Sequence, residues 1–414
     1  MHAPTSTSPQ RPEAPSQGPG PMDPSCSGHT IPTLGALFAA FFRVGCTAFG
    51  GPAMLPVVRT MTVEKRGWMS EQEFKGGVAT CQAVPGATVM QVAALVGLRR
   101  RGIPGMLCAF AGFVLPAFIL ITVLSALYWK NRELPQFIAA FIGIKAVTLA
   151  IMLYGAVDFG KRYIRNIPDL CIAAGAATLV LLETHPLLPV VLAMLAGCIV
   201  YREQDNAAPP VRCTQVPSLG LLARRMGAGL ALVLAVVGTL YFTHPEMAQL
   251  ALSMIRTDLV AFGGALASLP IMRHEVVNLH GWVSDAAFVD GLAIGQITPG
   301  PIIMTSAFIG WKVAGLSGAA IAGLAIFTPS LLMLLMADTL LARLESSRMY
   351  RRAVRASLAG LTGLLATLII TVGRTIPLQP LPLALVAGGL MALFRKVDPA
   401  IVVIAGAALS ILLA

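Results

Sequence analysis

Residues 82–105 read QAVPGATVMQVAALVGLRRRGIPG, and residues 296–318 read QITPGPIIMTSAFIGWKVAGLSG. Both open on Gln-x-x-Pro-Gly. Both then place glycines in the same order, Gly97, Gly102 and Gly105 in one and Gly310, Gly315 and Gly318 in the other. The match extends outward on both sides. Ala48-Phe49-Gly50-Gly51 pairs with Ala261-Phe262-Gly263-Gly264, and Leu55-Pro56 with Leu269-Pro270. Gly67-Trp68-x-Ser70 pairs with Gly281-Trp282-x-Ser284, and Pro116 with Pro329. A shared order of Gly, Pro and Trp over this length marks an internal repeat.

The composition says what is repeated. Of 414 residues, 56% are hydrophobic and 12% charged, against roughly a quarter charged in soluble domains. The mean hydropathy is +0.77. That much apolar surface cannot be hidden inside a soluble fold of this size, and the low charge argues against disorder for most of the chain. The apolar runs are continuous rather than alternating, which argues against a membrane β-barrel. The expected fold is an all-α polytopic membrane protein built from two homologous repeats. Runs such as 77–97, 103–128, 136–158 and 353–373 are the candidate segments. Several others, including 167–183 and 186–201, fall short of the ~20 residues that span a bilayer, which predicts broken or re-entrant helices.

The repeat divides the chain. Residues 1–30, rich in Pro, Ser, Gly and Thr, read as a disordered cytosolic tail without the pattern of a signal peptide. Residues 31–201 form the first repeat. Residues 202–226, with Arg202, Arg212, Arg224 and Arg225, form a basic cytoplasmic linker. Residues 227–414 form the second repeat with one extra helix. The formal net charge is +11. Its basic residues cluster in loops at 99–101, 161–165, 202–225, 343–355 and 395–396, the distribution of cytoplasmic loops rather than of a nucleic-acid surface. This places the N-terminus inside. It makes 99–101 cytoplasmic and its mate at Lys312 external, so the repeats would be inverted. One loop disagrees: 59–75 carries Arg59, Lys65, Arg66 and Lys75 and would face outside. An interfacial loop or a re-entrant first segment would explain it.

Several motifs bear on function. Arg43 and Arg256 sit at matched positions inside apolar runs, where an arginine costs about 2.5–3.5 kcal/mol. Two such residues predict a use for a planar cation suited to oxyanions, though each could instead snorkel to an interface. Phe49-Gly50-Gly51 and Phe262-Gly263-Gly264 would break a helix and expose backbone N–H groups beside a positive helix end, or serve close helix packing. Pro85-Gly86 and Pro299-Gly300 free a carbonyl and permit a turn, with Gln82 and Gln296 as side-chain donors. Lys145 is charged where the second repeat has Leu358. Asp258, Asp290 and Asp338 are candidate proton carriers, and Asp258 could instead balance Arg256. Trp68 and Trp282 read as interface anchors.

The seven cysteines show no metal or disulfide spacing. No HExxH or P-loop is present. Gly315-Leu316-Ser317-Gly318 matches a protease GxSG, but Pro104 stands at the mate of Ser317 and no histidine follows His280. No enzyme activity, metal or cofactor is expected.

The set Arg43, Phe49-Gly50-Gly51-Pro52, Lys65-Arg66-Gly67-Trp68-Met69-Ser70, Gln82, Pro85-Gly86, Gly97 and Arg101-Gly102 closely resembles the chromate ion transporter family, and the second half repeats it. The resemblance covers roughly residues 31–160 and 244–375, in the long-chain form. It implies export of chromate across the bacterial inner membrane, with sulfate as the related oxyanion. Ala265 stands where Phe-Gly-Gly would continue with proline, and Ala87 where Pro-Gly would, so the half-sites differ. The expected substrate site is Arg43, Phe49, Gly50, Gly51, Gln82, Pro85, Gly86, Lys145, Arg256, Phe262, Gly263, Gly264, Gln296, Pro299 and Gly300. A sulfate carrier and a membrane enzyme acting on a lipid phosphate are the alternatives. The expected partners are the anion and the lipid bilayer, with no nucleic acid. A homo-oligomer stays open.

Overall fold

The computed structural model describes residues 30–47, 54–201, 219–336 and 347–413, and these are helical with no strand among them. The tail expected at 1–30 and the linker expected at 202–226 lie largely outside the described residues. So do Phe49, Gly50, Gly51 and Asp338.

Helix α1 (Leu34–Thr47) and helix α2 (Met54–Arg59), which runs on as a π-helical turn Thr60–Lys65, come first. The Thr30 hydroxyl donates to the Arg66 carbonyl at 3.0 Å, so this pair enters and leaves at the same end. Helix α3 (Glu71–Ala83) starts on a reciprocal cap: Ser70 Oγ accepts from the Glu73 N–H, and the Glu73 carboxylate accepts from the Ser70 N–H. This arrangement satisfies two otherwise orphaned donors. The chain then breaks at Val84–Ala87, with Gly86 at φ +124°. Helix α4 (Thr88–Asn131) follows, but it is not straight: Arg101 (φ −138°, ψ 18°) and Gly102 (φ 63°, ψ −152°) leave helical geometry. A Cβ on Gly97 would run into the Gly105 carbonyl. In a straight helix these residues stand about 12 Å apart, so the chain reverses at Arg101–Gly102.

Arg99 donates to the Glu73 carbonyl at 3.0 Å, and Arg100 to the Glu73 carboxylate at 2.7 Å. The end of the first arm of α4 therefore lies beside the start of α3. Together they are a re-entrant hairpin with Pro85–Gly86 at its tip. Its arms are about 20 Å long, short of the ~30 Å hydrocarbon core. The apolar run 77–97, which reads as one segment, does not cross. This also removes the disagreement over 59–75. That loop and 99–101 share one end, with Arg101 Nε donating to the Pro32 carbonyl at 2.7 Å.

The second half repeats each device after helices α5 (Pro135–Tyr163), α6 (Ile167–Leu181), α7 (Leu187–Val200) and α8 (Leu219–Thr243). Helix α8 is the extra helix. It begins inside the stretch 202–226, and no residue of its apolar length Arg224–Thr243 is buried. Helices α9 (Pro245–Leu259) and α10 (Ala265–Arg273, continued by the π-helical turn His274–Leu279) meet at Gly263 (φ +83°) and Gly264 (φ +111°). Helix α11 (Asp285–Ile297), capped by Ser284, leads to a tip at Thr298–Pro301. Helix α12 (Thr305–Ala325) kinks at Ala314 (φ −147°, ψ 32°) and Gly315 (φ 58°, ψ −140°). These angles lie within about 20° of those at Arg101 and Gly102, the ordinary scatter of one conformation. Gly310 packs backbone to backbone on Gly318 as Gly97 does on Gly105. Helix α13 (Thr328–Leu334) completes the return arm.

Beyond this point the halves exchange partners. Helix α14 (Arg348–Arg374), the mate of α5, packs between α6 and α7 of the first half. Helices α15 (Pro380–Phe394) and α16 (Pro399–Leu413) pack on α5. Small residues allow the close approach: a Cβ on Gly363 would meet the Ala173 carbonyl, and one on Gly143 the Gly406 carbonyl. Ser410 Oγ donates to the Ala139 carbonyl at 2.6 Å. The buried Asp169 accepts from Arg355 at 3.1 Å, from the Arg165 N–H at 3.0 Å and from the Tyr201 hydroxyl.

Five helical stretches among the described residues are long and apolar enough to cross a membrane: Thr88–Asn131, Pro135–Tyr163, Arg224–Thr243, Ile302–Leu334 and Arg348–Arg374.

Candidate functional site

The return arm of α4 fixes the geometry of the site. It starts at the base of the first hairpin. Midway, Ala117 lies where a Cβ on Gly300, at the second tip, would strike it. At its far end Tyr128 donates to Asp290 at 2.7 Å, Trp129 stacks on Phe308 at 5.4 Å, and Lys312 sits over Trp129 at 4.8 Å. Asp290, Phe308 and Lys312 belong to the second hairpin and its base. The two hairpins thus enter from opposite ends of this arm, and their tips lie in the interior.

The first tip is held by the second half. The Gly86 N–H donates to the Ala261 carbonyl at 2.9 Å. The Pro85 carbonyl accepts from Gln91 Nε2 at 2.7 Å and from Ser330 Oγ at 3.3 Å. The Ser330 N–H and hydroxyl both donate to Asp258 Oδ2, the former at 2.9 Å. The matched pairs are exact in register: Gly86 faces Ser330, and Gly300 faces Ala117, the mate of Ser330. Both glycines hold positive φ (+124° and +115°) against a neighbour that leaves no room for a Cβ, so here the residue type is dictated twice over.

Lys145, partly buried, reaches the buried Asp290 at 2.9 Å, and Tyr128 completes a trio from α4, α5 and α11. The first turn of α4 follows the extended Ala87 and has no side-chain cap, so its N–H groups are open donors at the positive end of a helix dipole. Helix α12 is instead entered from a 3-10 turn, Ile302–Met304, whose carbonyls accept from the Thr305 N–H.

Other predicted site residues sit elsewhere. Arg43 is on the exposed face of α1, beside an open groove with Phe38, Ala39, Phe42 and Cys46. Arg256 is half exposed, and Glu275 Oε2 lies 3.8 Å from it. Asp258 does not balance Arg256; it faces Ser330. Gln82 is exposed and Gln296 buried. Phe262 is buried, and Gly263 packs against Phe159 and Leu358. Outside the spanning helices, Arg59 Nε donates to Glu71 at 2.9 Å, a bond that holds the Glu71 carboxyl below the usual carboxylate range. Arg273 and Asp285 repeat this pair at 2.6 Å.

Tyr128, Gln91 and Ser330 join the interior without having been singled out. A polar residue inside an apolar run is the signal that could have found them. No group of His, Cys, Asp and Glu among the described residues is arranged to hold a metal.

Opposed re-entrant hairpins, swapped helices and a polar interior define a helical membrane protein of the transporter class. The chain belongs to the chromate transporter family, whose profile matches residues 35–199 and 248–411, one match per repeat. It is 32% identical over 369 residues to an uncharacterized transporter of Methanocaldococcus jannaschii, covering 89% of this chain and 91% of that one. A chromate transport protein of Cupriavidus metallidurans is 29% identical over 408 residues, 94% of this chain and 96% of that one. An uncharacterized transporter of Bacillus subtilis, 28% identical, aligns over 169 residues, which are 40% of this chain but 95% of that one. A single repeat is thus matched by nearly a whole protein. No solved structure matches the chain.

Proposed function

We propose that this protein exports chromate from the cytoplasm across the inner membrane as a secondary carrier. The observation that carries the reading is that both hairpin tips, Pro85–Gly86 and Pro299–Gly300, end in the buried interior, each against the return arm of the other half. Half-helices that end at mid-depth present N–H groups and positive dipole ends to an anion. Lys145 adds a cation when Asp290 yields it, and Gln296 lies on the second hairpin near its tip. Arg43, Gln82 and Arg256, on exposed faces, are assigned to guiding the anion toward the tips. Phe49, Gly50 and Gly51, outside the described residues, are assigned to the anion site by their sequence match to Phe262, Gly263 and Gly264.

Residues 30–32, 59–75 and 99–101 share one end, rich in Lys and Arg. The positive-inside rule makes that end cytoplasmic, with the N-terminal tail and the linker at 202–226 on the same side. A dianion leaving a negative interior gains about 2.3 kcal/mol per charge per 100 mV, enough to drive export by potential. Alternating access rocks one repeat against the other.

Purified protein in liposomes should exchange labelled chromate, with sulfate, a dianion of the same shape, as competitor. Arg43→Ala and Arg256→Ala should insert normally and lose at least tenfold in exchange, and Lys145→Met should lose as much. Exchange at the level of empty liposomes would refute the carrier reading. Full exchange in all three variants would refute the residue assignment alone.

A further inference from the structure

We propose that Asp258 is a proton-binding site that latches the first hairpin tip, so that one proton travels with each exported anion. The inference rests on the carrier reading above. Four carboxylates in the described core are at least nine-tenths buried: Asp169, Asp258, Glu275 and Asp290. Asp169 has Arg355, Asp290 has Lys145, and Glu275 has Arg256 and His185 at 3.8 Å. Asp258 alone has no cation. It is fully buried, Ser330 is its hydrogen-bond partner, and its second oxygen, Oδ1, has none.

The surroundings add no charge. Ser330 comes from α13, and the Pro85 carbonyl from the hairpin tip. The charged groups of the neighbouring elements are engaged elsewhere or lie beyond contact: Arg273 of α10 pairs with Asp285, Lys312 of α12 covers Trp129, Glu275 faces Arg256 and His185, and Arg224 and Arg225 lie in the second turn of α8.

The latch follows from counting protons. The Ser330 hydroxyl lies within reach of two acceptors, Asp258 Oδ2 and the Pro85 carbonyl, and it has one proton to give. When Asp258 is ionised, the hydroxyl is committed to the carboxylate. When Asp258 takes a proton from water, the carboxyl O–H donates to Ser330 Oγ, and the Ser330 hydroxyl turns to the Pro85 carbonyl. The tip is then tied to the second half. Loss of that proton to water on the other side reverses both bonds. An ionised Asp258 beside the tip also repels a dianion, which favours anion entry in the protonated state. Proton and anion therefore move in the same direction.

The device is present in one half only. The mate of Asp258 is Gly45, and the mate of Ser330 is Ala117. The same packing closes in the first half with no polar group at either place, so the fold itself does not require the pair.

The test uses full-length protein in liposomes loaded with a pH dye, in alkaline buffer where chromate is fully ionised, with the potential clamped. Wild type should acidify the lumen as chromate enters, and its flux should fall as pH rises. Asp258→Asn, in which the amide donates permanently to Ser330, should keep chromate exchange, lose at least tenfold in proton movement and show a flat pH profile. Ser330→Ala, which keeps the acid but cuts the relay, should also uncouple, and it carries the test if Asp258→Asn fails to fold. Wild-type chromate flux without proton movement would overturn the proposal and leave the carrier standing. So would coupling that survives in either variant. Absence of any chromate exchange would overturn both readings.

Discussion

At the scale of single residues, the clearest requirement is at the hairpin tips. Gly86 combines φ +124° with a neighbour, Ser330, in the place of any side chain. A non-glycine residue there carries about 1–3 kcal/mol of backbone strain, and the clash adds to it. Gly86→Ala should therefore lower the melting temperature in detergent and abolish chromate exchange. Gly76, inside α3 with nothing near it, is the control of opposite sign. Gly76→Ala should stabilise by about 0.5–1 kcal/mol. Equal melting temperatures for the two variants would contradict this description of the tip. Both Pro-Gly tips were legible in the sequence, because proline and glycine advertise backbone behaviour locally. The partners of the buried acids were not. Asp258 finds Ser330 across 72 residues and Tyr128 finds Asp290 across 162, and no local pattern encodes such a pairing.

At the scale of elements, the reading of the chain as spans was the part most revised. Hydropathy averages over the four residues Val84–Ala87 and reports 77–97 as one run, although the chain turns back there. Once the hairpin is recognised, the basic loop 59–75 falls on the same end as 99–101, and the charge rule holds. Ser70 and Ser284 start α3 and α11, and the shared Gly-Trp-x-Ser motif marks both starts. The three elements that meet at Lys145, Asp290 and Tyr128 allow a sharper test. Removing one partner of a buried ion pair costs about 3–5 kcal/mol, whereas replacing both with apolar groups is often close to neutral. Lys145→Met should be strongly destabilised by denaturant unfolding, and Lys145→Met with Asp290→Leu should recover most of the loss. Transport should stay low in the double variant, because Lys145 is assigned to the anion. Recovery of flux along with stability would make the pair purely structural.

At the scale of the whole molecule, the two repeats complete one another. Helix α5 is clasped by α15 and α16, and α14 by α6 and α7. Neither half keeps its own helical pair. The duplication was legible in the repeated Gly, Pro and Trp and the inversion was expected from loop charge, but the paired hairpins and this exchange were not legible, because apolar helices carry little information about which neighbour they choose. Residues 1–210 and 211–414, expressed separately, should each fail to accumulate, and should accumulate together when co-expressed. With the native cysteines replaced, Ala139→Cys and Ser410→Cys should form a disulfide that joins the two fragments on a denaturing gel. Stable accumulation of either fragment alone would contradict the exchange.

The most direct test of the central claim is uptake of labelled chromate into everted membrane vesicles under an imposed potential, comparing the protein with Gly86→Ala at equal abundance. Potential-driven accumulation that requires the protein, competes with sulfate and is lost in Gly86→Ala is the predicted result. No protein-dependent accumulation, or accumulation unchanged in the variant, would contradict an oxyanion exporter that works through opposed hairpin tips.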